Sequence, residues 1–235
     1  MMASTKPTFV AEARRLIGPK FEAYFSFTGE LRRSVPLPKG GNIYPDASMI
    51  SDLNFLWLVF AEVHQLALDM DEDLAALVKS DSFLKEQFRR ILEGDSAEHP
   101  DGEFWYSPNA RQPVLVSRQE ALNGKLKDVL RTLRNGFAHA HWLYHDLSAL
   151  DYWKERGWAT ANAARNFKLE ERPRKNYMVY IADAKQPFDR NCFWSLTKLR
   201  ILITPAAALR YHLHLFLASL LTGRKIDVFG NSVTS

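Results

Sequence analysis

The 235-residue chain carries 31 Lys and Arg against 27 Asp and Glu, and 46% of its residues are apolar. That balance argues against a disordered chain and supplies a sizeable core, while a formal net charge of +4 is compatible with a polyanionic partner without demonstrating one. The lone cysteine, Cys192, excludes an intramolecular disulfide framework and a cysteine-based zinc site, and suits a reducing cytosol.

The stretch before Thr8 lacks the apolar centre of a secretory signal, so a cytoplasmic protein is expected. A first helix is predicted from about Thr8 to Ile17, continuing toward Phe25, and the Pro- and Gly-rich stretch Val35–Asp46 reads as a loop. Ala47–Met70 places Leu53, Leu56, Trp57, Phe60 and Val63 at helical spacing, which predicts a buried helix. A short helix follows to about Lys79, and Ser80 or Asp81 caps another through Leu92. Glu93–Pro113 reads as a long connection without structure of its own.

Ser117, with Glu120 three residues later, has the pattern of a capping box and opens the most strongly amphipathic helix. Beyond it, Tyr177–Ala182 and Asn191–Ser195 read as two short strands around a turn at Lys185–Asp189. The final helix is expected to begin near Thr197 and to be kinked or split by Pro205, with Gly223 as its C-cap. Its apolar part, Ala206–Leu221, is interrupted by Arg210, His212 and His214 and is short for a span of about 20 residues, so it reads as a core helix and no membrane partner is expected. The expected fold is all-α: an up-and-down helical bundle, one domain over residues 1–235, with a small β-hairpin at about 177–195 before the last helix.

Taken as one continuous helix with 100° per residue, the Ser117 helix puts Leu122, Leu126, Val129, Leu130, Leu133 and Phe137 on one stripe roughly 100° wide. Asn135 and His139 are four apart and fall on the opposite side, with Arg134 and His141 on the flank. Ala138 and Trp142 share the outward side, which a solvated helix does not normally give to such residues. A second copy of the helix across a twofold axis would cover this face and join two Arg-Asn-His sets in one cleft.

The chemistry of such a set is specific. Imidazole can take the proton of a ribose 2′-hydroxyl or protonate a leaving 5′-oxygen, and a guanidinium can hold the phosphate bidentately while asparagine orients either. Arg134-Asn135-Gly136-Phe137-Ala138-His139 resembles the signature of the HEPN superfamily: arginine, a polar residue, and histidine after four to six intervening residues. The resemblance covers about six residues. It implies a helical bundle, a homodimer with a composite cleft, and metal-independent endoribonuclease activity leaving 2′,3′-cyclic phosphate and 5′-hydroxyl ends, as in toxin–antitoxin and antiviral defence proteins. On that resemblance Arg134, Asn135 and His139 are the catalytic candidates, His141 an auxiliary one, Ala138 and Trp142 the dimer or cleft face, and RNA the partner.

An antitoxin partner is compatible with the resemblance. Members governed by a nucleotidyltransferase antitoxin carry tyrosine two residues after the histidine, where this chain has His141. The runner-up is a noncatalytic nucleotide-, RNA- or protein-binding module. No phosphate loop, dinucleotide fingerprint or nucleophile elbow is present, so no cofactor is expected, and the spacing of His139, His141 and His145 argues against a metal site. His64 and Glu62 lie on the buried-looking helix within reach of a cleft, and packing is their expected role.

Overall fold

The computed structural model describes residues 7–34, 47–93, 102–107, 114–138, 142–145, 178–184, 199–227 and 231–233. Among them the fold is mostly helical. α1 (Phe9–Leu16) is capped by Thr8, whose side chain accepts from the amide of Ala11, and is followed after one residue by α2 (Gly18–Ser34). α3 (Ala47–Asp69) buries Leu53, Leu56, Trp57, Phe60 and Val63. The turn after it contains Asp71, whose φ of 56° is left-handed. Asp73 then caps α4 (Leu74–Ser80), and Asp81 caps α5 (Ser82–Glu93) by accepting from the amides of Phe83 and Leu84 at 2.8 and 3.0 Å. A carboxylate in the first turn both satisfies orphan amides and complements the helix dipole.

The last helix, α8 (Ala206–Thr222), is apolar almost all round and lies at the centre of the bundle, against α1, α2, α3 and α5. Phe216 is fully buried among Phe60 and Phe88, with ring centroids at 6.1 and 5.0 Å. Its two histidines are buried too: His212 Nδ1 lies 2.9 Å from Gln87 Oε1, and His214 packs on Phe21 and Phe25. Gly223 takes the left-handed C-cap at φ 72°, as its place after the last apolar turn predicts. No helix among the described residues is long and apolar enough to cross a membrane.

The expected hairpin is instead part of a five-stranded antiparallel sheet of order β2-β1-β5-β4-β3. The strands are β1 (Glu103–Ser107), β2 (Val114–Val116), β3 (Trp142–His145), β4 (Met178–Ala184) and β5 (Leu199–Pro205). Three expectations change with it. The Glu93–Pro113 connection holds β1, whose Phe104-Trp105-Tyr106 run is rich in strand-favouring aromatics. Leu199–Thr204, expected to be helical, is the central strand, because Ile201, Ile203 and Thr204 are β-branched and the near-continuous run of buried residues from Leu202 to Thr204 suits a strand covered on both faces. Pro205 does not kink the last helix but stands at its N-cap, where a fixed φ, here −58°, and a missing amide cost nothing. The expected strand at Asn191–Ser195 lies outside the described residues.

Register puts Val179, Ile181 and Asp183 of β4 opposite Thr204, Leu202 and Arg200 of β5. All six are buried. Thr204 donates its hydroxyl to the carbonyl of Ile91 at 2.7 Å, joining the end of α5 to the sheet. Gly102 sits in the same seam, where an added Cβ would lie 2.7 Å from the carbonyl oxygen of Ile91 and 3.1 Å from that of Ile203. Gly102→Ala should therefore force α5 and β5 apart and cost about 1–3 kcal/mol. The expected readout is a lower urea midpoint at constant slope, and an unmoved midpoint would show that the seam yields freely.

Candidate functional site

The residues from Ser117 onward form two helices rather than one. Ser117 does cap the first, accepting from the amide of Glu120 at 3.2 Å, but α6 (Arg118–Asn123) stops at Gly124 and α7 (Leu126–Ala138) follows. α7 ends at Ala138, and by Trp142 the chain is already in β3, where Trp142 stands opposite Ile181. A helical phase therefore cannot be carried from Arg134 to Trp142. His139 and His141 lie outside the described residues, His139 directly after the last residue of α7. His145 belongs to β3.

Within α7 the two faces divide as their residues predict on one side only. Leu126, Val129, Leu130 and Leu133 are buried in the apolar core, and Phe137 packs partly buried against it, 5.4 Å from the ring of Trp57. Asn135, expected to face outward, is buried as well, at 8% exposure. What covers it is the chain's own sheet: α7 lies across β4 and β5. The premise for a second copy over the Asn135 face is thus removed, while Ala138 at the helix end is exposed.

The seam between α7 and the sheet is polar and continuous. Arg134 Nη1 donates to Asn135 Oδ1 at 2.7 Å, and Asn135 Nδ2 donates to Asp183 Oδ1 at 3.0 Å. The other oxygen of Asp183 accepts from Arg200 Nη1 at 2.9 Å, and Arg200 Nη2 reaches Asp128 Oδ1 at 2.7 Å. Arg131 stands 3.7 Å from the same Asp183 oxygen, and the guanidinium of Arg200 lies over the ring of Tyr106. Thr132, also buried, spends its hydroxyl on the carbonyl of Asp128. Buried charges persist only when paired and hydrogen-bonded in this way.

Arg134 differs from the other cations of this group. Its second amino group donates to Gln65 Oε1 of α3 at 3.1 Å, so both of its acceptors are neutral amides, and among the described residues it makes no ion pair. Beside it on α3 is His64. Burial, and then the charge of Arg134 and more weakly of Arg131, push the His64 imidazole below the ordinary histidine range, so it is neutral near pH 7. Its buried Nδ1 has no hydrogen-bond partner among the described residues. His64 also lines a cleft of about 380 Å³ between α3, α4 and α7, with Asp71, Asp73, Lys127 and Arg131 among the other walls.

Sequence reasoning gave His64 a packing role and passed over Asp183 and Arg200. The signal for the last two was available in the strand alternation, where each occupies a position in phase with buried apolar neighbours, Val179 and Ile181 or Leu202. No family model, curated protein or solved structure matches the chain.

Two outcomes follow from this geometry. Arg200→Met removes the cation from two carboxylates, one of them buried, and should cost about 3–5 kcal/mol in urea unfolding, whereas a loss under 1 kcal/mol would show that water reaches Asp183. For His64, a folded-state pKa below the ordinary value means that the unfolded chain takes up the proton first as pH falls. Stability is then greatest above the ordinary histidine range and falls from pH 7.5 to 5.5. His64→Asn should flatten that part of the stability profile, and an unchanged slope would remove the assignment.

Proposed function

We propose that the protein is a metal-independent endoribonuclease acting at the C-terminal end of α7. The observation that carries this reading is Arg134: a half-buried guanidinium held by two neutral amides, without an ion-pair partner among the described residues, keeps its charge for an incoming phosphate. In this reading Arg134 binds and neutralises the scissile phosphate, Asn135 positions the Arg134 guanidinium, and His139, next in the chain after Ala138, serves as general base or acid. The ribose 2′-oxygen attacks phosphorus, its proton passes to the base, and the bond to the 5′-oxygen breaks as that oxygen is protonated. The Arg-Asn-x-x-x-His pattern and its likeness to the HEPN signature support the same assignment.

The test is cleavage of end-labelled structured RNA in EDTA, followed by end-group analysis, with wild type, Arg134→Ala and His139→Ala. Wild type should yield 2′,3′-cyclic phosphate and 5′-hydroxyl ends. His139→Ala should lose about 10²–10⁴-fold in rate, and Arg134→Ala about 10²–10³-fold. Absence of cleavage in all three, or equal rates in all three, would overturn the reading.

One observation favours a noncatalytic binding module as second reading: both ends of the Asn135 amide are engaged inside the chain. Such a module would bind RNA with steep salt dependence and release no products.

A further inference from the structure

We propose that Asp183 is a positioning residue for Arg134, acting through Asn135: it fixes which end of the Asn135 amide faces the guanidinium. The proposal deepens the ribonuclease reading and rests on it for the meaning of Arg134.

An asparagine amide has one accepting end and one donating end, and its orientation is decided by what surrounds it. Here the two neighbours are of opposite kind. Arg134 can only donate, and an ionised Asp183 can only accept, so Oδ1 must face Arg134 and Nδ2 must face Asp183. The reversed amide would set its NH₂ against a guanidinium and its oxygen against a carboxylate, both repulsive in a site where Asn135 is buried. Asp183 is itself held. Arg200 grips its second oxygen at 2.9 Å, and Asp128, two turns before Asn135 on α7, anchors Arg200 at 2.7 Å. A carboxylate buried on β4 thus sets the polarity of a hydrogen bond at the phosphate-binding end of α7, without touching Arg134.

A change of a single atom tests this. In Asp183→Asn the new side chain must offer its oxygen to the Arg200 cation, which turns its NH₂ toward Asn135. Asn135 must then flip to accept, and presents its own NH₂ to Arg134. The pair Asp183→Asn with Asn135→Asp preserves the net charge and restores an accepting oxygen opposite Arg134. A general loss of packing would not be repaired by exchanging the two residues.

The direct readout is the guanidinium NMR signal of Arg134 in the full-length protein, assigned by its disappearance in Arg134→Lys. Restricted, dispersed Nη resonances are expected in wild type, averaging in Asp183→Asn and recovery in the exchanged pair. An unchanged Arg134 signal in a folded Asp183→Asn protein would overturn the proposal. Should that variant fail to fold, wild type alone decides: the Asn135 side-chain protons should exchange slowly with solvent, and exchange as fast as that of exposed amides would refute the Asn135–Asp183 bond.

Where wild type cleaves RNA, Asp183→Asn should raise KM by about 10-fold or more with a smaller change in kcat, while the exchanged pair, which sets a carboxylate against Arg134, should recover the guanidinium signal but not KM. An altered guanidinium signal with unchanged KM would overturn the positioning role. Absence of cleavage by wild type would defeat the ribonuclease reading, while the NMR result would still decide the orientation of Asn135.

Discussion

The pairing of Asp183 with Arg200 decides how α7 can be used. Both groups are buried, on adjacent strands of one sheet face, and each also reaches α7: Asp183 accepts from Asn135 and Arg200 pairs with Asp128. An apolar sheet face would hold the helix by area alone and allow it to slide. Two directional contacts seven residues apart on the helix fix its rotation and its register against β4 and β5 together. The apolar side of α7 is then committed to the bundle, and the short arc near Arg134 is what remains for solutes.

Charge around that arc is distributed unevenly. Lys127 pairs with Asp73, and Arg131 and Arg200 share Asp183, while Arg134 rests on amide oxygens. Among the described residues this guanidinium is compensated only by dipoles and keeps most of its electrostatic reach, and the affinity of His64 for protons is depressed by burial and then by this charge.

The helical part of this architecture was legible because its signals are local. Thr8 and Asp81 cap the helices expected to start there, Ser117 caps α6 rather than the helix that carries Arg134, Gly223 closes the last one, and the apolar spacing of α3 and α7 identifies their buried sides. The sheet was not, since its strands are drawn from four separated parts of the chain and its central strand has a composition that also satisfies a helical period. The same gap misplaced Asn135. Counting angles around a helix shows which residues oppose the apolar stripe, but not that a sheet from elsewhere in the chain supplies a buried carboxylate for one of them. Arg134 and Asn135 could be singled out by type and spacing; their partners Gln65 and Asp183 could be found only once α3 and β4 were in place.

β5 is the last strand in sequence and the middle strand of the sheet, flanked by β1 and β4, and it runs without a loop into the helix at the centre of the bundle. The hydrogen bonds that organise the Arg134 region span 69 and 48 residues. A chain emerging from the ribosome would therefore expose the polar side of α7 and two unjoined halves of a sheet until Leu199–Thr222 had been made. Asp183 gains its Arg200 partner, and α7 its full anchorage, only after β5 has joined the two halves of the sheet.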